Sequence, residues 1–290
     1  DPQVMFSNHK DVYKKGVEKR QRRLVEKISF IRPFLADDET ILLVTTGCSP
    51  ISVGEQLIMG WIVFYLKRSV FIFTNKRIFH VPTKPDHTYR NSIAQISYTD
   101  CQSLAVKGRQ LVANYKNGKS EKFQLIGTER KKVSALLKRT PLEGQPTDTQ
   151  HRTHLCPRCT SPLIGAQYTC PNCRLQFKSR AEARKISIIY PGGGYFYTRH
   201  PFLGLGDAVV EILLLSWFTI ALIDVVAGIG GSLAAAVVYG LVLAFEKLIT
   251  VYDSNKFIAE YIPAQKNIEP VRPQQNAVSE SARVSSWRGT

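Results

Sequence analysis

The sequence predicts a multidomain α+β membrane protein: a small β-barrel or curved sheet capped by a C-terminal helix, a four-cysteine metal module and a transmembrane helical hairpin. Three observations predict it. Residues 36–140 alternate short β-rich runs with turn signals and close on a helical pattern; Cys156, Cys159, Cys170 and Cys173 form two C-x-x-C pairs; 207–227 and 230–251 are largely apolar. Charge divides along the same lines. The 290 residues carry a formal net charge of +16, yet 1–206 hold 33 basic and 15 acidic side chains, while the remaining 84 hold 6 and 8. A hydrophobic content of 44% excludes a disordered chain.

Residues 1–35 form the first unit. The chain is strongly basic over 9–34, and Val17, Leu24, Ile28 and Ile31 share one helical face, with Pro33 as the expected stop. Such a basic amphipathic helix docks on the next domain or on a second copy, or adheres to anionic lipid. The first residue is Asp1 and no basic-then-apolar leader follows, so the numbering is expected to begin inside a longer precursor or after processing, and secretion has no support.

Within 36–140, strands are expected at 41–46, 70–74, 77–81, 93–99, 103–106, 111–115 and 122–126. Asn117-Gly118 signals a tight hairpin, because glycine adopts positive φ readily. A helix that Thr128 caps, with Val133, Leu136 and Leu137 on one face, closes the unit. The stretch Val70-Phe-Ile-Phe-Thr-Asn-Lys-Arg-Ile-Phe-His-Val81, then Ile93-Ala-Gln-Ile-Ser-Tyr98, the Asn-Gly hairpin and the final helix resemble bacterial pleckstrin-homology-like and GRAM-like domains over about a third of the chain. That resemblance implies binding of lipids or peptides and brings no catalytic residue.

The departure from this pattern is 47–67, an enlarged first hairpin containing Gln56-Leu-Ile-Met-Gly-Trp-Ile-Val-Phe-Tyr-Leu66. Eleven residues reach about 17 Å as a helix, too short for a bilayer core of about 30 Å. The run is expected either as buried strands or as a dip into the membrane surface, with Trp61 and Tyr65 at headgroup level and Lys67 and Arg68 near phosphates.

Residues 141–154 are a linker interrupted by Gly144 and Pro146. The metal module, 155–178, is C-x2-C-x10-C-x2-C and resembles the zinc ribbons. Four converging thiolates suit tetrahedral Zn²⁺, and a filled ligand set leaves no position for an activated water, so the expected role is structural. Iron held as in rubredoxin is the competitor. His151 and His154 are surplus to a complete thiolate set, and Cys48 and Cys101 read as small buried residues of the sheet. Arg158, Arg174, Lys178, Arg180, Arg184 and Lys185 raise the question of nucleic acid, but cations gathered ahead of an apolar segment are what the positive-inside rule expects, so nucleic acid is the weaker expectation.

The membrane module is 179–262. Its two apolar segments each span about 31–33 Å as helices, and their uncharged connecting loop contrasts with Lys185, Arg199, Lys247 and Lys256 near the other ends. Both termini are therefore expected in the cytoplasm, with the protein in the bacterial inner membrane. Residues 186–198, broken by Pro191 and three glycines, read as an interfacial or re-entrant piece with Tyr195, Phe196 and Tyr197 at the headgroup boundary. With the residues that follow, this stretch is similar to small two-helix bacterial membrane modules over some sixty residues. Glu211 and Asp224 mark a candidate ion pathway, against the plainer reading of acids reaching water near helix ends, which also covers Asp207 and Glu246. Residues 263–290 read as a flexible tail.

No H-E-x-x-H, G-x-S-x-G or Walker A motif is present, so an enzyme is not expected. The leading expectation is a membrane-anchored adaptor or accessory subunit presenting its sheet and metal module to a protein or peptide partner, with anionic-lipid contact. The rivals are a nucleic-acid-binding membrane protein and a component of a transport or channel complex.

Overall fold

The computed structural model describes residues 5–126, 129–140, 151–163, 165, 167–265 and 268. Seven strands appear where turn residues separate the apolar runs: β1 (Ile41–Cys48), β2 (Arg68–Thr74), β3 (Arg77–Pro82), β4 (Ile93–Ser97), β5 (Cys101–Lys107), β6 (Gln110–Tyr115) and β7 (Ser120–Ile126). They pair antiparallel in the order β5-β6-β7-β1-β2-β3-β4. The sheet curls into a half-barrel, and its strands are apolar at consecutive positions because both faces are covered. On β2, Phe71 and Phe73 point into the concave core with Leu43, Ile78 and Phe123, while Val70 and Ile72 join Val44, Phe79 and Val81 on the convex face.

A different helix covers each face. The helix α4 (Arg130–Arg139) sets Val133 and Leu137 into the concave core. Across the convex face lie α1 (Lys15–Lys27) and a 3-10 helix (Ser29–Phe34), which bury Leu24, Ile28, Ile31 and Phe34. Gln21 fixes α1 to β1 by donating to the Val44 carbonyl at 2.7 Å and accepting from its amide at 3.1 Å. The N-terminal helix therefore docks on the sheet. Its α-helical part stops at Lys27, six residues before Pro33, which sits inside the 3-10 turn where its missing amide is tolerated.

The enlarged hairpin between β1 and β2 forms neither a strand nor one helix. It folds as α2 (Val53–Met59) and α3 (Ile62–Leu66), broken at Gly60, whose φ is +56°. Ser52 caps α2 by accepting from the Glu55 amide, while Glu55 reaches back to the Ser52 amide at 2.7 Å. Thr128, residues 141–150 of the expected linker and nearly all of the expected tail lie outside the described residues.

The metal module continues the same sheet. Its strand β8 (Thr153–Leu155) pairs antiparallel with β4 and then with β9 (Pro162–Leu163), giving nine strands in all. Beyond it run α5 (Arg180–Ile189), α6 (Gly193–Tyr197), α7 (Pro201–Val226) and α8 (Leu233–Ile258). The two long helices have 26 residues each, are long and apolar enough to cross a membrane, and leave most of their apolar side chains uncovered. After α8 the chain returns to the metal module: the Lys178 amide donates to Ile262, that of Ala264 to Gln176, both at 2.9 Å.

Candidate metal centre

The two C-x-x-C pairs fold into near-identical turns. In the first, the Thr160 amide donates to the Cys156 carbonyl at 2.9 Å and the Cys156 amide to Ser161; in the second, Arg174 donates to Cys170 at 3.0 Å and Cys170 to Leu175. Each turn closes on a residue with positive φ, Thr160 at 61° and Arg174 at 57°. Both turns present their sulfurs to one point. All four Sγ atoms lie within 4.8 Å of one another, with Cys156–Cys173 and Cys159–Cys170 at 3.5 Å.

Those separations exclude disulfides and lie close to the edge of about 3.8 Å expected for sulfurs held tetrahedrally at about 2.3 Å from one ion. Cys156 and Cys170 are buried, and Leu163, Leu175 and Phe177 pack around the cluster. Burial opposes ionisation of the Cys159 thiol, but hydrogen bonding with Ser161 and the neighbouring cysteines overrides it and brings its pKa down to about 6. The cluster contains no histidine. His154 instead lies against the Tyr261 ring at 4.8 Å, and burial holds it neutral, with its pKa lowered to about 3. Cys48 and Cys101 are buried in the sheet, where desolvation lifts their thiols to about 11 and about 12.

A buried polar node that sequence reasoning missed joins the segment just before β8 to β3, β7 and the chain just beyond α8. Arg152, just before β8, donates to Nδ1 of His80 at 3.0 Å and to Glu121 at 3.1 Å, and reaches Glu260, just beyond α8, at 3.4 Å. Burial would raise the Glu260 carboxyl, but the Arg152 charge holds it down at about 2. Ser49 and Ser69 lie 3.0 and 3.1 Å from Nε2 of His80, which superficially suggests an activated serine. The tautomer forbids it. Guanidinium only donates, so Nδ1 accepts and Nε2 carries the hydrogen, leaving no lone pair to take a proton from either hydroxyl. Burial keeps this imidazole neutral, its pKa lowered to about 3. His80, Arg152 and Glu260 have no local sequence signal, since they come from three distant segments.

The expected lipid-contact residues separate into two groups. Trp61 is 76% exposed, and Tyr65 and Phe196 are also open. The Arg68 guanidinium stacks 4.7 Å from the Tyr65 ring and donates to the Pro85 carbonyl at 2.9 Å. Lys67 is half-buried, pairs with Glu55 and donates to the Pro50 carbonyl at 3.0 Å. Tyr195 is likewise turned inward, donating to Asp253 at 2.9 Å, because Gly192, Gly193 and Gly194 let α6 sink between its neighbours. A β-carbon on Gly192 would lie 2.1 Å from the Gly204 carbonyl oxygen. Tyr197 is partly covered: its ring carries the Lys178 ammonium at 4.5 Å, and its hydroxyl accepts from the Ser179 amide at 3.3 Å.

Glu211 and Asp224 do not form one site. They sit thirteen positions apart on α7, about 20 Å along its axis. Glu211 is buried against Lys247 of α8, while Asp224 lies beside the loop at Gly231. No family model matches this chain, and comparison with the curated proteins and with the solved structures found no match.

Proposed function

We propose that the chain is a non-catalytic, membrane-anchored adaptor, with α7 and α8 crossing the bilayer as a hairpin and the sheet and metal module held against its cytoplasmic face. One observation carries the reading: the two long helices keep most of their apolar side chains outward, while the sheet strands and the four-cysteine module bury most of theirs. The uncharged loop between the helices and the excess of cations in 1–206 support both termini facing the cytoplasm of a bacterial inner membrane. Val53, Leu57, Trp61 and Ile62 stand open on α2 and α3, whose capping Ser52 lies 3.4 Å from the Tyr252 hydroxyl of α8, and exposed Arg184 and Lys185 on α5 are followed by exposed Ile188, Ile189 and Tyr190. That gradient suits an interface with anionic lipid.

The metal is zinc and its role is structural. The paired turns are of the zinc-ribbon kind, the four thiolates complete a tetrahedral set, and among the described residues no oxygen or nitrogen ligand joins them. The ion would lock the module that links sheet to hairpin.

The sheet, of pleckstrin-homology kind, would take its partner as an added strand. Its β4 edge is already paired with β8, whereas β5 pairs only with β6 among the described residues and exposes Gln102, Ser103, Ala105 and Lys107. Photo-cross-linking in intact membranes tests this. A photoreactive side chain at Gln102 is expected to give one discrete protein adduct that the same group at exposed Lys84, between β3 and β4, does not give. No adduct, or equal labelling from both positions, would sink the adaptor reading while leaving membrane attachment standing.

A further inference from the structure

Where α7 and α8 pack against α5 and the Gly192 turn, the hairpin gathers acids that neither the thiolate cluster nor the Arg152 node uses. Asp207 and Glu211 lie one turn apart on α7, and Glu246 faces them from α8. One carboxylate oxygen from each comes within 4.8 Å of the other two.

The partners available do not balance them. Lys247 donates to Oε2 of Glu211 at 2.6 Å and to the Ser187 carbonyl at 2.9 Å, neutralising one charge. The Gly192 amide reaches the same Oε2 at 3.2 Å. The Thr250 hydroxyl lies 3.1 Å from Asp207 and 3.0 Å from Glu246, but it has a single hydrogen to give. Two negative charges remain.

A separate observation concerns Glu211 itself. The residue is 1% exposed, and its Oε1 is buried with no hydrogen-bond partner, as is Oε2 of Glu246. A carboxylate oxygen shut away from water is ordinarily paired or coordinated, because leaving it bare forfeits its hydration for nothing in return. Every donor here is a hard oxygen and the charge deficit is two, which matches a hard divalent cation and not the soft-ligand chemistry of the thiolate cluster.

We infer that Asp207, Glu211 and Glu246 bind one hard divalent cation of the Mg²⁺, Ca²⁺ or Mn²⁺ class, joining α7 to α8 at the base of the hairpin. The site does not depend on the adaptor reading. A shared proton is the competing way to relieve the same repulsion, and the test separates the two.

The probe is Mn²⁺, titrated at pH 8 into the purified full chain in detergent with its thiolate-bound metal retained, and followed by electron paramagnetic resonance. The expected result is one saturable Mn²⁺ per chain, displaced by Ca²⁺ or Mg²⁺ and weakened at least tenfold in Asp207→Asn and in Glu246→Gln. Both residues are half-buried and both changes spare the Glu211–Lys247 pair. Asp224→Asn should bind as the unaltered chain does. If the two variants fail to fold, infrared difference spectra of the unaltered chain decide, since Mn²⁺ must shift its carboxylate stretch. Absence of saturable binding, binding untouched by both variants, or no carboxylate shift would overturn the inference. Proton release near neutral pH without Mn²⁺ uptake would overturn it in favour of the shared proton.

Discussion

The half-barrel and the hairpin use the same apolar residue types in opposite ways. In β1–β3 both faces are covered, and Leu43, Phe71, Ile72 and Phe79 are fully buried. On α7 and α8, Leu213, Phe245 and Leu248 stay half to two-thirds exposed, and no side of either helix is polar enough to face water alone. Two polar clusters differ as well. Glu39, Thr74 and Arg77 satisfy one another: the Arg77 guanidinium donates to Glu39 at 2.6 Å and the Thr74 hydroxyl donates to the same carboxylate at 2.7 Å. Near the base of the hairpin, Glu211, Asp253, Ser254 and Asn255 each keep a buried oxygen without a partner. Among the described residues the sheet covers its apolar side chains, whereas the two long helices leave most of theirs open.

The sharpest way to break that contrast is at the joint. Replacing Cys156 and Cys173 together by Ser should abolish metal binding and unfold the module, since structural zinc contributes on the order of 10 kcal/mol to such small units. Metal content and proteolysis around 156–178 report it, and the sheet core should survive. Next comes Arg152→Met, which strands Glu260 and Glu121 and should cost about 3–5 kcal/mol. Its sign with pH is fixed. The Glu260 carboxyl sits at about 2, below its ordinary value, so its stabilisation is present above about pH 4.5 and lost as pH falls towards 2. The variant should lack that part of the pH dependence when unfolding midpoints are compared.

Leu213→Arg places a charge near the middle of α7 and should cost about 3 kcal/mol of membrane insertion, read as the inserted fraction, while leaving isolated sheet packing unchanged. A pair of glycines gives the smallest effects. Gly192→Ala meets both a positive φ of 65° and the Gly204 carbonyl, and should cost about 2–3 kcal/mol; Gly118→Ala has a φ of 80° but open space around it, and should cost about 1 kcal/mol.

The strands were legible because turn residues such as Asn117-Gly118 punctuate them, and the thiolate cluster because its spacing is local. The hairpin helices stood out by length and apolarity alone. The excursion at 53–66 was harder, since a short apolar run has no period long enough to distinguish helix from strand; its local signal was the Ser52-x-x-Glu55 capping box. The acid cluster was half visible in the four-residue spacing of Asp207 and Glu211, but its third member depended on the register between α7 and α8. The Arg152 node could not be read at all, because nothing in one segment specifies charges arriving from segments far away along the chain.

Alkaline carbonate extraction of membranes from cells making the full-length chain tests the account most directly. The polypeptide should stay in the membrane pellet and leave it only with detergent. Recovery as a monodisperse, water-soluble protein after carbonate would contradict it, because α7 and α8 would then have found cover outside a bilayer.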